Sequence, residues 1–184
     1  MTEQRAPARE APPGRVTAPR GELRALAAIQ SALAERPGML GSARGLSYFG
    51  EHSLGWLAVS ALGALLQPHR WRAWLLVGAG AFTAHAAAVV IKRVVRRERP
   101  RHPAVAVHVG TPSRLSFPSA HATSTTAAAL LLMRATGSRL PALLVPPMAL
   151  SRMLLGVHYP SDVAVGVGVG ATVAAAAVRL DGRL

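Results

Sequence analysis

Three stretches of the chain place basic, histidine and acidic side chains at close spacing. They are residues 92–101 with Lys92 and Arg99, residues 119–121 with Ser119 and His121, and residues 151–162 with Arg152, His158 and Asp162. Several fixed cations suit a phosphate group, whose transfer is catalysed mainly by positioning and charge neutralisation. One histidine can accept a phosphoryl group, a second can protonate the departing oxygen, and a carboxylate can orient the first. The pattern predicts a phosphoryl-transfer site.

The composition narrows the chemistry further. A cluster with few carboxylates and many arginines would repel a divalent cation, so we expect no metal and no other cofactor. The absence of cysteine excludes disulfides, zinc fingers and thiol catalysis. The net charge of +13 indicates an anionic partner, which is a nucleic acid, acidic lipid head groups or a phosphorylated substrate.

Five apolar segments can position these residues. They cover residues 46–66, 73–91, 117–133, 140–157 and 163–178. With 51% apolar and only 16% charged residues, the chain favours an all-α, multi-pass transmembrane bundle of about five helices over a soluble all-α domain. In the last segment Gly166, Gly170 and Ala174 stand four apart, which predicts close packing against another helix.

The N-terminal part differs in composition. Residues 1–20 are rich in proline and arginine, which predicts a disordered tail. Residues 22–36 carry apolar side chains at helical spacing, typical either of an amphipathic helix on the membrane surface or of a soluble packing helix. We expect this interfacial helix and a linker to occupy residues 21–45, and the membrane-embedded domain residues 46–184.

Five alternating crossings bring one set of helix ends to the same side of the membrane. That side receives the three reactive stretches together with Glu51 and His52, whereas the other side has scattered charges such as Arg70 and Arg134. Ionisable groups near membrane depth are costly, so their gathering on one side predicts a functional site.

At these residues the sequence resembles the type 2 phosphatidate phosphatase family, which shares its motif with the vanadium haloperoxidases. The family pattern is a lysine, six residues and Arg-Pro; then Pro-Ser-Gly-His; then Ser-Arg, five residues, His, three residues and Asp. The matching residues are Lys92, Arg99 and Pro100; Pro118, Ser119, Ala120 and His121; and Ser151, Arg152, His158 and Asp162. Ala120 replaces the glycine, which puts only a glycine-specific backbone angle in doubt.

The resemblance implies a role for each position. His158 would attack phosphorus and become a phosphohistidine, while Asp162 holds its other ring nitrogen. His121 would protonate the leaving oxygen and then activate water. The phosphate would be bound by Lys92, Arg99, Ser119, Ala120 and Arg152.

Three wider stretches, residues 47–52, 122–126 and 150–162, resemble an actinobacterial branch of the family that includes decaprenylphosphoryl-5-phosphoribose phosphatases of cell-wall arabinan synthesis. This implies a phosphoric monoester hydrolase of the cell membrane acting on a polyprenyl-linked phosphate, with anionic lipid head groups as further partners and no nucleic acid. An undecaprenyl diphosphate phosphatase or a phosphatidate-type phosphatase is the alternative. A non-catalytic membrane protein with a basic lipid-binding loop is the alternative of another class.

Several residues keep two interpretations. Glu51 and His52 are either a support of the site or contacts of the substrate head group. His85 fits a packed, hydrogen-bonded histidine best, and Arg93, Arg96 and Arg97 fit a basic stripe that binds anionic lipid. The side of the membrane is open as well, because the N-terminal tail and residues 92–101 favour a cytoplasmic site while the arginines near residues 70 and 134 favour an extracytoplasmic one.

Overall fold

The structure, a computed structural model, describes residues 18–182, and within that range the chain is helical, without a β-strand. The disordered tail expected at residues 1–20 falls almost wholly outside these residues. The seven α-helices of these residues are α1 (Glu22–Leu33), α2 (Met39–Gly50), α3 (Leu54–Leu66), α4 (Trp71–Val95), α5 (Ala120–Thr136), α6 (Val145–Leu154) and α7 (Pro160–Asp181). Short 3-10 turns precede α3, α4 and α6 at Glu51–Ser53, Pro68–Arg70 and Leu140–Leu144.

Helix α5 is the centre of the molecule and packs against both α4 and α7. Its inner residues are small, mostly Ala, Ser and Thr, and nearly all of them are buried. Gly170 of α7 lies so close to α5 that a Cβ there would stand 2.3 Å from the Thr123 carbonyl oxygen. The packing predicted for the small residues of the last segment is therefore confirmed, because Gly166 and Ala174 are buried as well.

Two membrane helices predicted from the sequence begin differently in the structure. The prediction of one helix over residues 46–66 was wrong, because α2 ends at Gly50 and α3 begins only at Leu54, after His52 and Ser53 adopt positive φ angles. The segment 140–157 likewise begins as a 3-10 turn, and Pro146 stands in the first turn of α6, where a missing N–H costs nothing.

The N-terminal helices form a second layer across one end of the bundle. The residues expected to be a linker are helical from Met39 onward. Leu26 and Gln30 of α1 are buried, and Ala43 of α2 packs with Leu155 in a small apolar cluster. Part of the apolar face of α1 is thus covered by protein.

Within residues 18–182, two helices are long and apolar enough to cross a membrane. They are α4 with its preceding turn, Pro68–Val95, and α7, Pro160–Asp181, with mean hydropathies of 1.8 and 1.9. Helices α3 and α4 also expose large apolar side chains, among them Leu65, Leu75 and Phe82, on surfaces that no other described helix covers. Such surfaces suit contact with lipid.

Candidate active site

A cavity of about 380 Å³ opens where α4 ends and α5 begins. Most of the predicted site residues line it: Glu51, His52, Lys92, Arg99, Ala120, His121, Arg152 and His158. Ser119 and Asp162 are fully buried behind its wall. A larger cleft of about 620 Å³ lies at the opposite end of the bundle, beside Arg70 and Arg134, and contains none of them.

His158 lies in the connection between α6 and α7 and is only 2% exposed. Its Nε2 atom is 3.3 Å from Nη1 of Arg99, and its Nδ1 atom is 3.6 Å from Oδ2 of Asp162, which is too long for a hydrogen bond. Burial, followed by the charges of Arg99, Arg152 and Lys92, lowers the pKa of His158 well below its ordinary value of 6.5. The imidazole is therefore neutral at neutral pH, with Nε2 available as a nucleophile in the tautomer protonated on Nδ1.

His121 lies in the first turn of α5, largely buried. Its Nε2 is 2.9 Å from the backbone carbonyl oxygen of Ser47 and 4.0 Å from Oε2 of Glu51. Gly50 permits this approach, because a Cβ there would stand 2.5 Å from Cδ2 of His121. A ring whose Nε2–H is donated to Ser47 leaves Nδ1 to exchange a proton with a ligand.

Backbone carbonyls hold two of the three motif cations. Lys92 Nζ donates to the carbonyl oxygens of Ser116 and Pro118 at 2.7 and 2.6 Å, which fixes the segment that leads into α5. Arg99 donates from Nε to the Ser113 carbonyl and from Nη1 to the Val157 carbonyl. Burial lowers the pKa of Arg99 to about 10, so the guanidinium stays charged at neutral pH.

Arg152 depends on a residue that the motifs do not contain. Its Nη1 donates to the Ser47 hydroxyl at 2.7 Å, and its buried Nε has no hydrogen-bond partner within residues 18–182. Ser47 therefore contacts two site residues, Arg152 through its hydroxyl and His121 through its carbonyl. The three motifs do not contain Ser47, and a serine within an apolar segment does not by itself indicate such contacts.

The structure places Ser119 as the N-cap of α5. Its hydroxyl accepts the Ala122 N–H at 3.4 Å, and its own N–H donates to the Asp162 carbonyl oxygen at 2.9 Å. Ala120, which does line the cavity, stands in the first turn of α5. The amino-terminal end of a helix favours an anion, so α5 adds to the positive potential of the cavity.

The three arginines of the expected basic stripe have different surroundings. Arg96 is exposed at the end of α4, and Arg93 lines the cavity. Arg97 contradicts the stripe interpretation, because its guanidinium lies between Asp162, 2.9 Å away, and Glu22, 2.6 Å away. Because Arg97 pairs with two nearby carboxylates, it is not available to bind anionic lipid.

His85 differs from its expected role too. It lines the cavity beside His52, with 5.8 Å between the ring centroids, and its buried Nδ1 has no hydrogen-bond partner within the described residues. It is therefore not a satisfied core histidine. Within residues 18–182, no three His, Asp or Glu side chains stand close enough to share a metal ion, and the absence of a metal cofactor stays a prediction.

The chain has close relatives among known proteins. It is 72% identical over 158 residues to the decaprenylphosphoryl-5-phosphoribose phosphatase of Mycobacterium tuberculosis, covering 86% of this chain and 89% of the relative. It is 73% identical over 149 residues to the protein of the same name from Mycolicibacterium smegmatis, covering 81% and 83%.

Solved structures show the same fold. A transmembrane PAP2 type phosphatidylglycerolphosphate phosphatase from Bacillus subtilis superposes with a TM-score of 0.69 at 22% identity, over 88% of this chain and 86% of that one. Aquifex aeolicus LpxE superposes with a TM-score of 0.67 at 19% identity, over 85% and 94%. Residues 72–184 match the PAP2 superfamily. The chain therefore belongs to the PAP2 superfamily and is a membrane-associated phosphatase, a phosphoric monoester hydrolase.

Proposed function

We propose that this chain hydrolyses the phosphomonoester of decaprenylphosphoryl-5-phosphoribose, a step in the supply of cell-wall arabinan precursors. The choice of substrate rests on relatives of that name that are 72% and 73% identical over most of their length. The chemistry rests on one observation, the placement of a neutral His158 with Nε2 toward Arg99 and Nδ1 toward Asp162. No metal has a part in the proposed steps.

The reaction proceeds in two transfers. Arg99, Arg152 and Lys92 bind the phosphate oxygens and neutralise their charge. His158 Nε2 forms a bond to phosphorus while the bond from phosphorus to the ribose 5-oxygen breaks, and His121, which takes up a proton as the anionic phosphate binds, gives its Nδ1 proton to that oxygen. Asp162 stabilises the positive charge that the His158 ring acquires.

The second transfer releases phosphate. His121, now neutral, takes a proton from a water molecule whose oxygen attacks phosphorus as the bond to His158 Nε2 breaks. The products are inorganic phosphate and decaprenylphosphoryl ribose with a free 5-hydroxyl. His158 returns to its neutral form, and His121 gives up its proton as phosphate leaves, so the enzyme is regenerated.

The substrate carries a second phosphate, the diester between ribose and the prenyl chain. The cavity contains a fourth cation, Arg93, which forms no ion pair within residues 18–182. Arg93 binds this diester in the proposed complex, because the three motif cations are occupied by the monoester. Glu51 and His52, both partly exposed in the cavity, contact the ribose hydroxyls.

The proposed membrane arrangement has about five crossings, through α3, α4, α5, α6 and α7, in the cell membrane. The exposed apolar residues of α3 and α4 support it, as do the apolar compositions of α4 and α7. The 3-10 turn at Glu51–Ser53 then lies at the same membrane face as the ends of α4 and α6 and the starts of α5 and α7. The N-terminal helices cover that face.

The substrate is tested with purified protein in EDTA. Phosphate release is measured from decaprenylphosphoryl-5-phosphoribose, from undecaprenyl diphosphate and from phosphatidate. We expect the highest kcat/KM on the ribose-linked lipid and inhibition by vanadate, which imitates five-coordinate phosphorus. Release from undecaprenyl diphosphate alone would replace the arabinan assignment by the alternative one.

A further inference from the structure

Arg97 connects two carboxylates that lie far apart in the sequence. Its Nη1 donates to Asp162 Oδ1 at 2.9 Å and to the Ser161 hydroxyl at 2.6 Å, while its Nη2 donates to Glu22 Oε2 at 2.6 Å. The guanidinium also lies 4.0 Å from the centroid of the Tyr159 ring. Burial alone would lower the pKa of Arg97, but the bond to Glu22 and the charge of Asp162 outweigh it, so the pKa is raised.

Glu22 belongs to α1, which precedes the part of the chain that matches the superfamily, residues 72–184. Both of its carboxylate oxygens are used, because Oε1 accepts the Ser161 N–H at 2.8 Å and Oε2 accepts from Arg97. Gln30, two turns further along α1, is bonded to the carbonyl oxygens of Ala106 and Leu154. Helix α1 is thus fixed by polar side chains at two points, beside Asp162 through Glu22 and at the end of α6 through Gln30.

These contacts determine how Asp162 is held. The carboxylate is fully buried; Oδ2 accepts the Tyr159 N–H at 2.8 Å and faces His158, and Oδ1 is bound by Arg97. Within the described residues, Arg97 is the cation that pairs with Asp162. Loss of Arg97 would leave a buried carboxylate without a charged partner and would remove the bond that fixes its Oδ1 atom.

Glu22 also determines the net charge of the group of side chains that faces His158. Arg97 alone would cancel the charge of Asp162 and weaken the attraction between that carboxylate and a positively charged His158 ring. With Glu22 present, the group of Glu22, Arg97 and Asp162 carries a net charge of about −1 at neutral pH. A negative group next to His158 is what the phosphorylated ring requires.

We propose that Arg97 and Glu22 are positioning residues that hold Asp162 toward His158. Helix α1, which carries Glu22, is for this reason required for full phosphatase activity. The inference rests on the proposed role of Asp162 in the mechanism. Neither residue contacts the cavity that receives the substrate. Their effect should therefore fall on kcat more than on KM.

The test is a double-mutant cycle with Arg97→Gln and Asp162→Asn. The matched control is Arg96→Gln, which removes the same charge from the exposed neighbouring position. We expect Arg97→Gln to lower kcat by up to about a hundredfold with little change in KM, the effect of a small displacement of a catalytic group. Asp162→Asn should lower kcat further, and the double variant should equal Asp162→Asn, because Arg97 acts only through that carboxylate.

Two further variants separate positioning from folding. Glu22→Gln removes only the outer charge and should lower kcat less than Arg97→Gln, and Arg97→Lys should recover part of the activity. Thermal unfolding of each variant in detergent reports any loss of stability independently. Multiplicative losses in the cycle, a rise in KM alone, or an effect of Arg97→Gln no larger than that of Arg96→Gln would overturn the proposal.

The same double-mutant cycle is repeated for vanadate binding, because the dissociation constant of vanadate can be measured without any substrate. We expect Arg97→Gln and Asp162→Asn each to weaken vanadate binding, again without additivity. A failure of the wild type on the ribose-linked lipid would reject the proposed substrate while the vanadate cycle still decided the role of Arg97. Equal vanadate affinity in wild type and Arg97→Gln would reject the role of Arg97 alone.

Discussion

At the scale of the residue, the surroundings of His158 determine its protonation state. Burial and three cations lower its pKa, so the ring stays neutral as the pH falls through its ordinary value of 6.5. A neutral ring can attack phosphorus, whereas a protonated one has no lone pair at Nε2. The cations that bind the phosphate thus also keep the nucleophile in its reactive form.

This gives a pH prediction. The acid limb of the kcat/KM profile, which reports groups of the free enzyme, should lie below pH 6.5 when the activity is followed from pH 8 down to pH 4. Enzyme returned to neutral pH after each measurement controls for acid unfolding. An acid limb at or above pH 6.5 would contradict the assigned environment of His158.

A prediction on substrate choice concerns Arg93, the cation proposed to bind the phosphodiester. Arg93→Gln should raise KM for decaprenylphosphoryl-5-phosphoribose by about tenfold, which corresponds to about 1.4 kcal/mol of lost binding. The KM for phosphatidate, a lipid monoester with no phosphodiester, should change little. Arg96→Gln serves as the control, since Arg96 lies outside the cavity. An equal rise in KM for both lipids would assign Arg93 to the monoester instead.

At the scale of the element, the spacing of α5 and α7 sets the site, because α5 carries His121 and α7 carries Asp162. Gly170 is where the two helices approach closely, and a Cβ there would stand 2.3 Å from the Thr123 carbonyl oxygen and 2.9 Å from the Thr126 Cβ. Neither neighbour can move aside without moving α5. The helices themselves would have to separate.

Gly170→Ala should therefore lower the unfolding temperature and reduce activity, with a cost of about 1–3 kcal/mol for overpacking. Gly168→Ala on the same helix is the matched control, because its added Cβ would meet no atom within 4 Å. That control should be neutral or slightly stabilising, since alanine is the better helix former. Equal unfolding temperatures for the two variants would argue against close packing at Gly170.

The helices show which features of the fold and the site could be predicted from the sequence. Spacing alone predicted the residues that meet around the cavity, because Lys92, His121 and His158 fall at helix ends that alternation brings to one side. The break at Gly50 was missed, since the apolar run resumes at Leu54 after only three polar residues, and the approach of the His121 ring that requires a glycine there is visible only in the structure. The role of Arg97 was missed because its partner Glu22 is 75 residues away, and no local pattern reports such a pair.

At the scale of the whole molecule, the two ends of the bundle differ in the residues that line their cavities. One end holds the cavity with its motif residues; the other holds a cleft beside Arg70, Arg72 and Arg134. Arginines at helix connections without a catalytic use favour the cytoplasmic side. We therefore expect the catalytic end to face away from the cytoplasm.

Single-cysteine variants test this orientation without background, because the chain has no cysteine. Ser113→Cys lies at the catalytic end and Ser138→Cys at the opposite end. A membrane-impermeant maleimide should label Ser113→Cys in intact cells and Ser138→Cys only in inside-out vesicles. The reverse labelling would place the catalytic end in the cytoplasm.

In the proposed mechanism, His158 carries the phosphoryl group during turnover. It is tested by mixing the enzyme, in buffer that contains EDTA, with substrate labelled with ³²P in the monoester, quenching with alkali within milliseconds, and mapping the label by peptide. We expect an acid-labile, alkali-stable phosphoryl group on His158, and we expect His158→Ala to lose both this label and phosphate release. Label on another residue, or undiminished EDTA-resistant turnover in His158→Ala, would contradict it.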